Sequence, residues 1–387
     1  MRETTQRLDP TRSCPEVARI EMGMKARVVG QDEAIEQIVR HYQSHVVGLS
    51  APGRPICNLL LLGPTGCGKT RIAESLAEVL VGDRQALIKV DCGEFQHSHE
   101  VSKLIGSPPG YLGHRETHPR LCQEKLDMYH TDRVKISFVL FDEIEKASDA
   151  LWNLLLGILD KGMLTLGDNR QVDFSNAMIL MTGNLGIAEA ERLREAPFGF
   201  TKAADMGSGR SEAQGTTGSA ATSPRHDAAL RSRMEKAVIG AARRRFSPEF
   251  MNRLDGVILC HPLSAEQIGQ VLDMELREIL TRVHRHRSCR LHASLSEGAR
   301  NFLIAEGYDE KFGARNLKRA VERHFVHPLS SLLATHQVAD GDELLVDVED
   351  GMPGLVFSRH FRGLHRRSLR ELTSRWETGA AVSASLS

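Results

Sequence analysis

The chain lacks a net charge: its 387 residues carry 50 basic and 50 acidic side chains. A protein held to nucleic acid mainly through the phosphate backbone needs a basic excess, so no nucleic-acid partner is expected. The chain also lacks any apolar run long enough to cross a bilayer, and its N-terminus (MRETTQRLDPTRSCPE) has no apolar stretch of the kind a secretory leader carries. Neither a membrane partner nor export is expected. The seven cysteines include no C-x-x-C, and their number is odd. A reduced, cytoplasmic compartment fits that usage better than a disulfide framework. Residues 201–228 lack Leu, Ile, Val and every aromatic type. Such a segment cannot bury enough apolar surface to offset chain entropy, which predicts a disordered loop.

What is present is a hydrophobic fraction of 41%, enough for a sizeable core. Residues 1–27 are polar and read as a flexible lead-in. From Val28 short apolar runs appear: 58–62, 86–90, 136–141, 177–181 and 257–260. The first three are each followed by an amphipathic stretch, an alternation that predicts an α/β domain with a mostly parallel sheet over 28–261. Over 71–81, Ile72, Leu76, Val79 and Leu80 fall on one helical face, and Gly82 is placed to end the helix. After Pro262 the pattern turns helical. Ser264 to Gln267 has the form of a capping box, and further helices are expected from about Ser296 and over 314–335, with a short strand at 343–348. A smaller helical domain over 262–350 and a tail over 351–387 complete the expected organisation.

Two motifs carry chemistry. Gly63-Pro64-Thr65-Gly66-Cys67-Gly68-Lys69-Thr70 matches G-x-x-x-x-G-K-[ST] and lies between an apolar strand and a helix, the context that motif requires. Its glycines let backbone N–H groups turn towards phosphate oxygens at the positive end of a helix. Lys69 is placed to reach the outer phosphates of ATP, and Thr70 to hold Mg2+. Downstream, the apolar run ending at Phe141 delivers Asp142 and Glu143 at a strand C-terminus, where α/β sheets bind ligands. Asp142 is the expected Mg2+ partner, and Glu143 the expected general base towards water. Two weaker signals are set aside. The spacing His284-x-His286-x-x-Cys289-x-x-His292 fits no familiar zinc module and has arginine neighbours, and Cys67 reads as a small filler or an oxidisable thiol.

The chain resembles the C-terminal ATPase module of the ClpA/ClpB group of AAA+ unfoldases from about Val28 to Val348. The likeness rests on Val28-Val-Gly-Gln-Asp-Glu-Ala34, Arg54-Pro-Ile56, the phosphate loop, and Leu104-Ile-Gly-Ser-Pro-Pro-Gly-Tyr-Leu-Gly113. It continues through Val139-Leu-Phe-Asp-Glu-Ile-Glu-Lys-Ala147, Val172-Asp-Phe174, Met181-Thr-Gly-Asn-Leu-Gly186, Phe246-Ser-Pro-Glu-Phe-Met-Asn-Arg-Leu-Asp255 and Phe312-Gly-Ala-Arg315. The resemblance implies an AAA+ core with a C-terminal helical lid, and ATP hydrolysis that pulls protein substrates through the pore of a hexameric ring. It further implies adenine packing at Val28 and Val29, a water-orienting sensor at Asn184, an arginine finger at Arg253 and a second sensor at Arg315. Gly110-Tyr111-Leu112-Gly113 would be the pore loop that grips polypeptide. Gly183 departs from the Ser common at that place. Phe198-Gly199-Phe200 has the wrong first residue for a peptidase-docking loop, which argues against a peptidase partner. A nucleic-acid-acting AAA+ protein and a nucleotide-binding scaffold with low turnover are the alternatives.

Overall fold

A computed structural model describes residues 14–107, 118–195, 224–287, 291–308, 313–349 and 351–360 (353 excepted), with Asp9 and Arg12. The described chain separates into two compact units: residues 1–264 with 311–313, and 265–310 with 314–387.

The first unit is built on β1 (Cys57–Leu62), β2 (Leu87–Asp91), β3 (Ser137–Asp142), a small hairpin of β4 (Met163–Thr165) and β5 (Gln171–Asp173), β6 (Ala177–Gly183) and β7 (Gly256–Leu259). Five strands pair in the order β2-β3-β6-β1-β7, all parallel. All six residues of β1 are buried, as expected for a parallel strand covered on both faces. The pleat divides them. Leu60 and Leu62 join a core with Val139, Phe141, Ile179 and the helix Asp149–Lys161. Leu59 and Leu61 join a second core with Phe138, Leu140, Met178 and the helices Asp32–Val46 and Lys69–Val81. Burying each such leucine contributes about 1.5–3 kcal/mol. The register sets Leu62 beside Gly183 and Phe141 beside Met181, so the chain leaves β1, β3 and β6 at one edge of the sheet.

Two sequence expectations change in this unit. Residues 15–25 of the supposed lead-in form a helix, Pro15–Lys25, whose Val17, Ile20 and Met24 are buried against the helices Asp32–Val46 and Lys69–Val81. The polar residues before Pro15 set the reading of the whole lead-in and mask the three apolar residues spaced for one helical face. The supposed disordered loop ends early, because a helix Pro224–Arg245 includes 224–228; residues 196–223 lie outside the described ones.

The second unit contains the helices Ala265–Arg287, Glu297–Gly307, Ala314–Val321 and His327–Ala334, the last two joined by a π turn over Glu322–Val326. Ser296 caps its helix by accepting from the Ala299 N–H at 3.0 Å. A three-stranded sheet, β8 (His292–Leu295), β9 (Glu343–Asp347) and β10 (Val356–His360), has the order β10-β9-β8. β10 is antiparallel to β9, so residues 356–360 belong to this unit's sheet and are not part of a tail.

Candidate functional site

The phosphate-loop sequence follows β1 and opens the helix Lys69–Val81. Gly66 and Gly68 take φ of +78° and +102°, a region that side-chain-bearing residues resist. A Cβ at Gly63 would fall 2.6 Å from the Cys260 carbonyl oxygen, so only glycine lets the loop pass β7. Cys67 and Cys260 are both buried, and the hydrogen bond between their side chains holds the Cys67 thiol below its usual range. Gln31, also buried, fastens the loop from behind. Its amide nitrogen donates to Cys67 O at 3.1 Å and His261 O at 2.8 Å, while its oxygen accepts from His261 N–H at 3.1 Å. Gln31 lies inside a motif that the sequence reading quoted but gave no role.

Lys69 is only 8% exposed. Its ammonium donates to Gly63 O at 2.6 Å, Pro64 O at 2.8 Å and Asn184 Oδ1 at 2.8 Å. All three acceptors are neutral. The Asp142 carboxylate acts on this ammonium only through space, and a buried cation hydrogen-bonded to neutral groups alone favours an anion in direct contact.

Asp142 and Glu143 leave β3 at the same edge. Asp142 lies 3.5 Å from Thr70 Oγ1, accepts a hydrogen bond from Thr182 and pairs with Lys89 at 2.9 Å. Burial pushes its carboxyl up, but the Thr182 hydroxyl and the Lys89 ammonium outweigh burial and hold it below the ordinary carboxylate range. Two carboxylate oxygens beside a threonine hydroxyl form the hard donor set that a divalent cation takes. Glu143 has φ of +57°, uncommon for a residue with a side chain, and its N–H donates to Thr182 Oγ1 at 3.1 Å. Its carboxylate meets Lys146 at 2.5 Å. Thr182, Lys89 and Lys146 were not singled out from sequence. Thr182 stood in a quoted motif, and its signal was its place two residues before Asn184.

The structure therefore brings Lys69, Thr70, Asp142, Glu143 and Asn184 to one sheet edge. Val28 is buried in the core and Val29 is half-buried. Arg253 is turned onto its own chain: its guanidinium pairs with Glu249 at 3.0 Å and Asp160 at 3.7 Å, and donates to Glu249 O at 2.9 Å. Arg315 is exposed on the first turn of Ala314–Val321 in the second unit. Gly110, Tyr111, Leu112, Gly113 and the Phe198–Phe200 segment lie outside the described residues.

Comparison with known proteins agrees with this geometry. Residues 54–257 match the family described as AAA domain (Cdc48 subfamily), and 263–346 match the C-terminal, D2-small domain of ClpB protein. The chaperone protein ClpB of Meiothermus ruber is 37% identical over 339 residues, which are 88% of this chain and 35% of the relative. The negative regulator of genetic competence ClpC/MecB of Bacillus subtilis is 34% identical over 328 residues, 85% of this chain and 36% of the relative. The extended conformation of the S. cerevisiae Hsp104:casein complex superposes with a TM-score of 0.71 at 28% identity, covering 89% of this chain and 52% of that one. The chain thus spans about a third of the length of the curated relatives it matches. It belongs to the AAA domain family, and it resembles the C-terminal module of ClpB- and ClpC-type proteins.

Proposed function

We propose that this module hydrolyses Mg-ATP within a hexameric ring and uses the turnover to pull polypeptide through a central pore. The observation that carries the reading is Lys69, a buried ammonium with only neutral partners inside a glycine-rich loop. The outer phosphates of ATP would bring negative charge into direct contact with this ammonium, and the backbone N–H groups of 63–70 cradle them. Mg2+, where bound, neutralises charge on the phosphates, and Thr70 and Asp142 are the side chains that would hold it. Val28 and Val29 would flank the base. Glu143 accepts the proton of the attacking water, and its ion pair with Lys146 holds the carboxylate in place at the strand end. Asn184 orients that water from the neighbouring strand. Arg253 serves the site of an adjacent subunit, since a planar, permanently charged guanidinium suits the spread charge of a transferring phosphoryl group. Arg315 would act as the second sensor that the resemblance implies.

Polypeptide as the cargo is supported by the likeness to the casein-bound Hsp104 complex. Tyr111, flanked by glycines, offers a large apolar face with few bonds to freeze. A cytoplasmic location accompanies this reading; among the described residues no helix is long and apolar enough to cross a membrane. The test pairs phosphate release with loss of fluorescence from a folded, tagged client on one preparation. Tyr111→Ala should keep hydrolysis within a few-fold of the parent and lose unfolding, while Tyr111→Phe keeps both. Undiminished unfolding by Tyr111→Ala would overturn the threading role. If the parent chain binds single-stranded DNA with a steep salt dependence and leaves the client folded, the nucleic-acid alternative replaces it.

A further inference from the structure

Glu145 is absent from the roles assigned above, yet it touches the strand end that carries Asn184. It lies in the tight turn Ile144–Lys146 that follows β3 and Glu143. Its Oε1 accepts from the Asn184 backbone N–H at 3.0 Å. Its Oε2 is buried and has no hydrogen-bond partner. A half-satisfied buried carboxylate is costly and calls for an explanation. The turn itself is held firmly. The Arg245 guanidinium donates twice to the Glu145 carbonyl, at 2.6 and 3.2 Å, and stacks over Trp152 at 4.3 Å. The Trp152 indole N–H in turn donates to the Ile144 carbonyl at 3.1 Å.

Gly183 explains how the carboxylate reaches this place. A Cβ at 183 would lie 2.9 Å from Glu145 Oε2 and 2.9 Å from Leu62 Cδ2. The absence of a side chain there opens the space the carboxylate fills. The other end of the contact is Asn184, whose side-chain oxygen receives Lys69 at 2.8 Å. A charge-assisted hydrogen bond to the backbone of residue 184 fixes where its amide group points.

We propose that Glu145 is a positioning residue for this ATPase: through its carboxylate contact with the Asn184 backbone, in the gap left by Gly183, it sets the Asn184 side chain against Lys69 and the reacting water. This rests on the ATPase reading above. Glu145 touches none of the reacting atoms, so its effect passes entirely through Asn184. Loss of the contact should lower kcat about tenfold, the scale of one charge-assisted hydrogen bond, with KM for ATP within about twofold.

The test is a double-mutant cycle on the full chain, read together with hydrogen exchange at the Asn184 amide. Glu145→Ala should lower kcat about tenfold and speed exchange at that amide; Glu145→Gln, whose amide oxygen still accepts, should restore both to within about threefold of the parent. In an Asn184→Ala background, Glu145→Ala should add no further loss of kcat. An undiminished kcat in Glu145→Ala, or the same tenfold loss repeated in the Asn184→Ala background, would contradict the proposal. Where Glu145→Ala fails to fold, Gly183→Ala enters the same cycle. Its added methyl meets only the ends of two side chains and displaces the carboxylate, so the same non-additive loss is expected, and an additive one counts against the proposal. A parent chain without turnover contradicts the ATPase reading alone; the exchange measurement still decides the contact, because unchanged exchange in the variant removes it.

Discussion

Lys69 and Arg253 belong to the same unit, yet their surroundings are opposite. Lys69 is almost fully buried and meets two carbonyls and an amide oxygen. Arg253 is about a quarter exposed and is already neutralised, by Glu249 and Asp160. One cation is set in a rigid loop and hydrogen-bonds only neutral groups. The other has its anions and sits near the surface. The difference matches what each would do. A group that binds nucleotide on its own chain can be fixed in advance in a closed, neutral cage. A group that serves a neighbouring subunit has to be held until the neighbour arrives, and exposed carboxylates hold it weakly enough to let go.

The strongest way to break this contrast is Lys69→Ala. Removing the only ammonium in the loop should abolish measurable ATP binding, read by titration with a fluorescent ATP analogue. Unchanged affinity would remove the phosphate-loop assignment. Next in size, Arg253→Ala should leave ATP binding nearly intact and lower turnover by about three orders of magnitude, the range known for arginine fingers. Its steady-state phosphate release, measured at a concentration where the parent ring forms, checks this.

Smaller changes sharpen the comparison. Removing the two acids beside Arg253, as Asp160→Asn with Glu249→Gln, should cost no more than about 1 kcal/mol of stability in urea unfolding and keep turnover within a few-fold, because these are half-exposed pairs. The smallest effect concerns acid. The folded state holds the Asp142 carboxyl below its ordinary value, so the charged form stabilises the fold. That contribution is complete above the ordinary carboxylate range and fades as pH falls through the lower, folded value. The melting temperature of Asp142→Asn should therefore depend less steeply on pH across the acid range than that of the parent.

The fold was legible where one physical signal acted alone. Each apolar run of the sheet falls within one or two residues of a strand, and the signal is cleanest in the inner strands β1, β3 and β6, which are covered on both faces and almost wholly buried. The phosphate loop was legible because few residue types other than glycine tolerate φ of +78° and +102°. Mixed signals hid the rest. The helix Pro15–Lys25 follows a polar start of the chain and interleaves charged with apolar residues, and the placing of Val17, Ile20 and Met24 shows its buried face. β10 gains its identity from pairing with β9, an interaction that no local pattern in 356–360 announces. The partners that complete the site were not predicted for a related reason. Thr182 reaches Asp142 from the neighbouring strand, Gln31 reaches His261 across 230 positions, and Glu145 reaches Asn184 across 39. Register and topology create those contacts, and sequence spacing does not encode them.

If the two cations serve nucleotides on different subunits, mixing variants shows it most directly. Lys69→Ala chains retain Arg253, and Arg253→Ala chains retain an intact phosphate loop. Each alone should show almost no phosphate release. Combined in equal amounts, they should recover a clear fraction of parental turnover, because a Lys69→Ala subunit lends its Arg253 to an Arg253→Ala neighbour. Turnover that stays at the level of the separate variants at every mixing ratio would contradict the account.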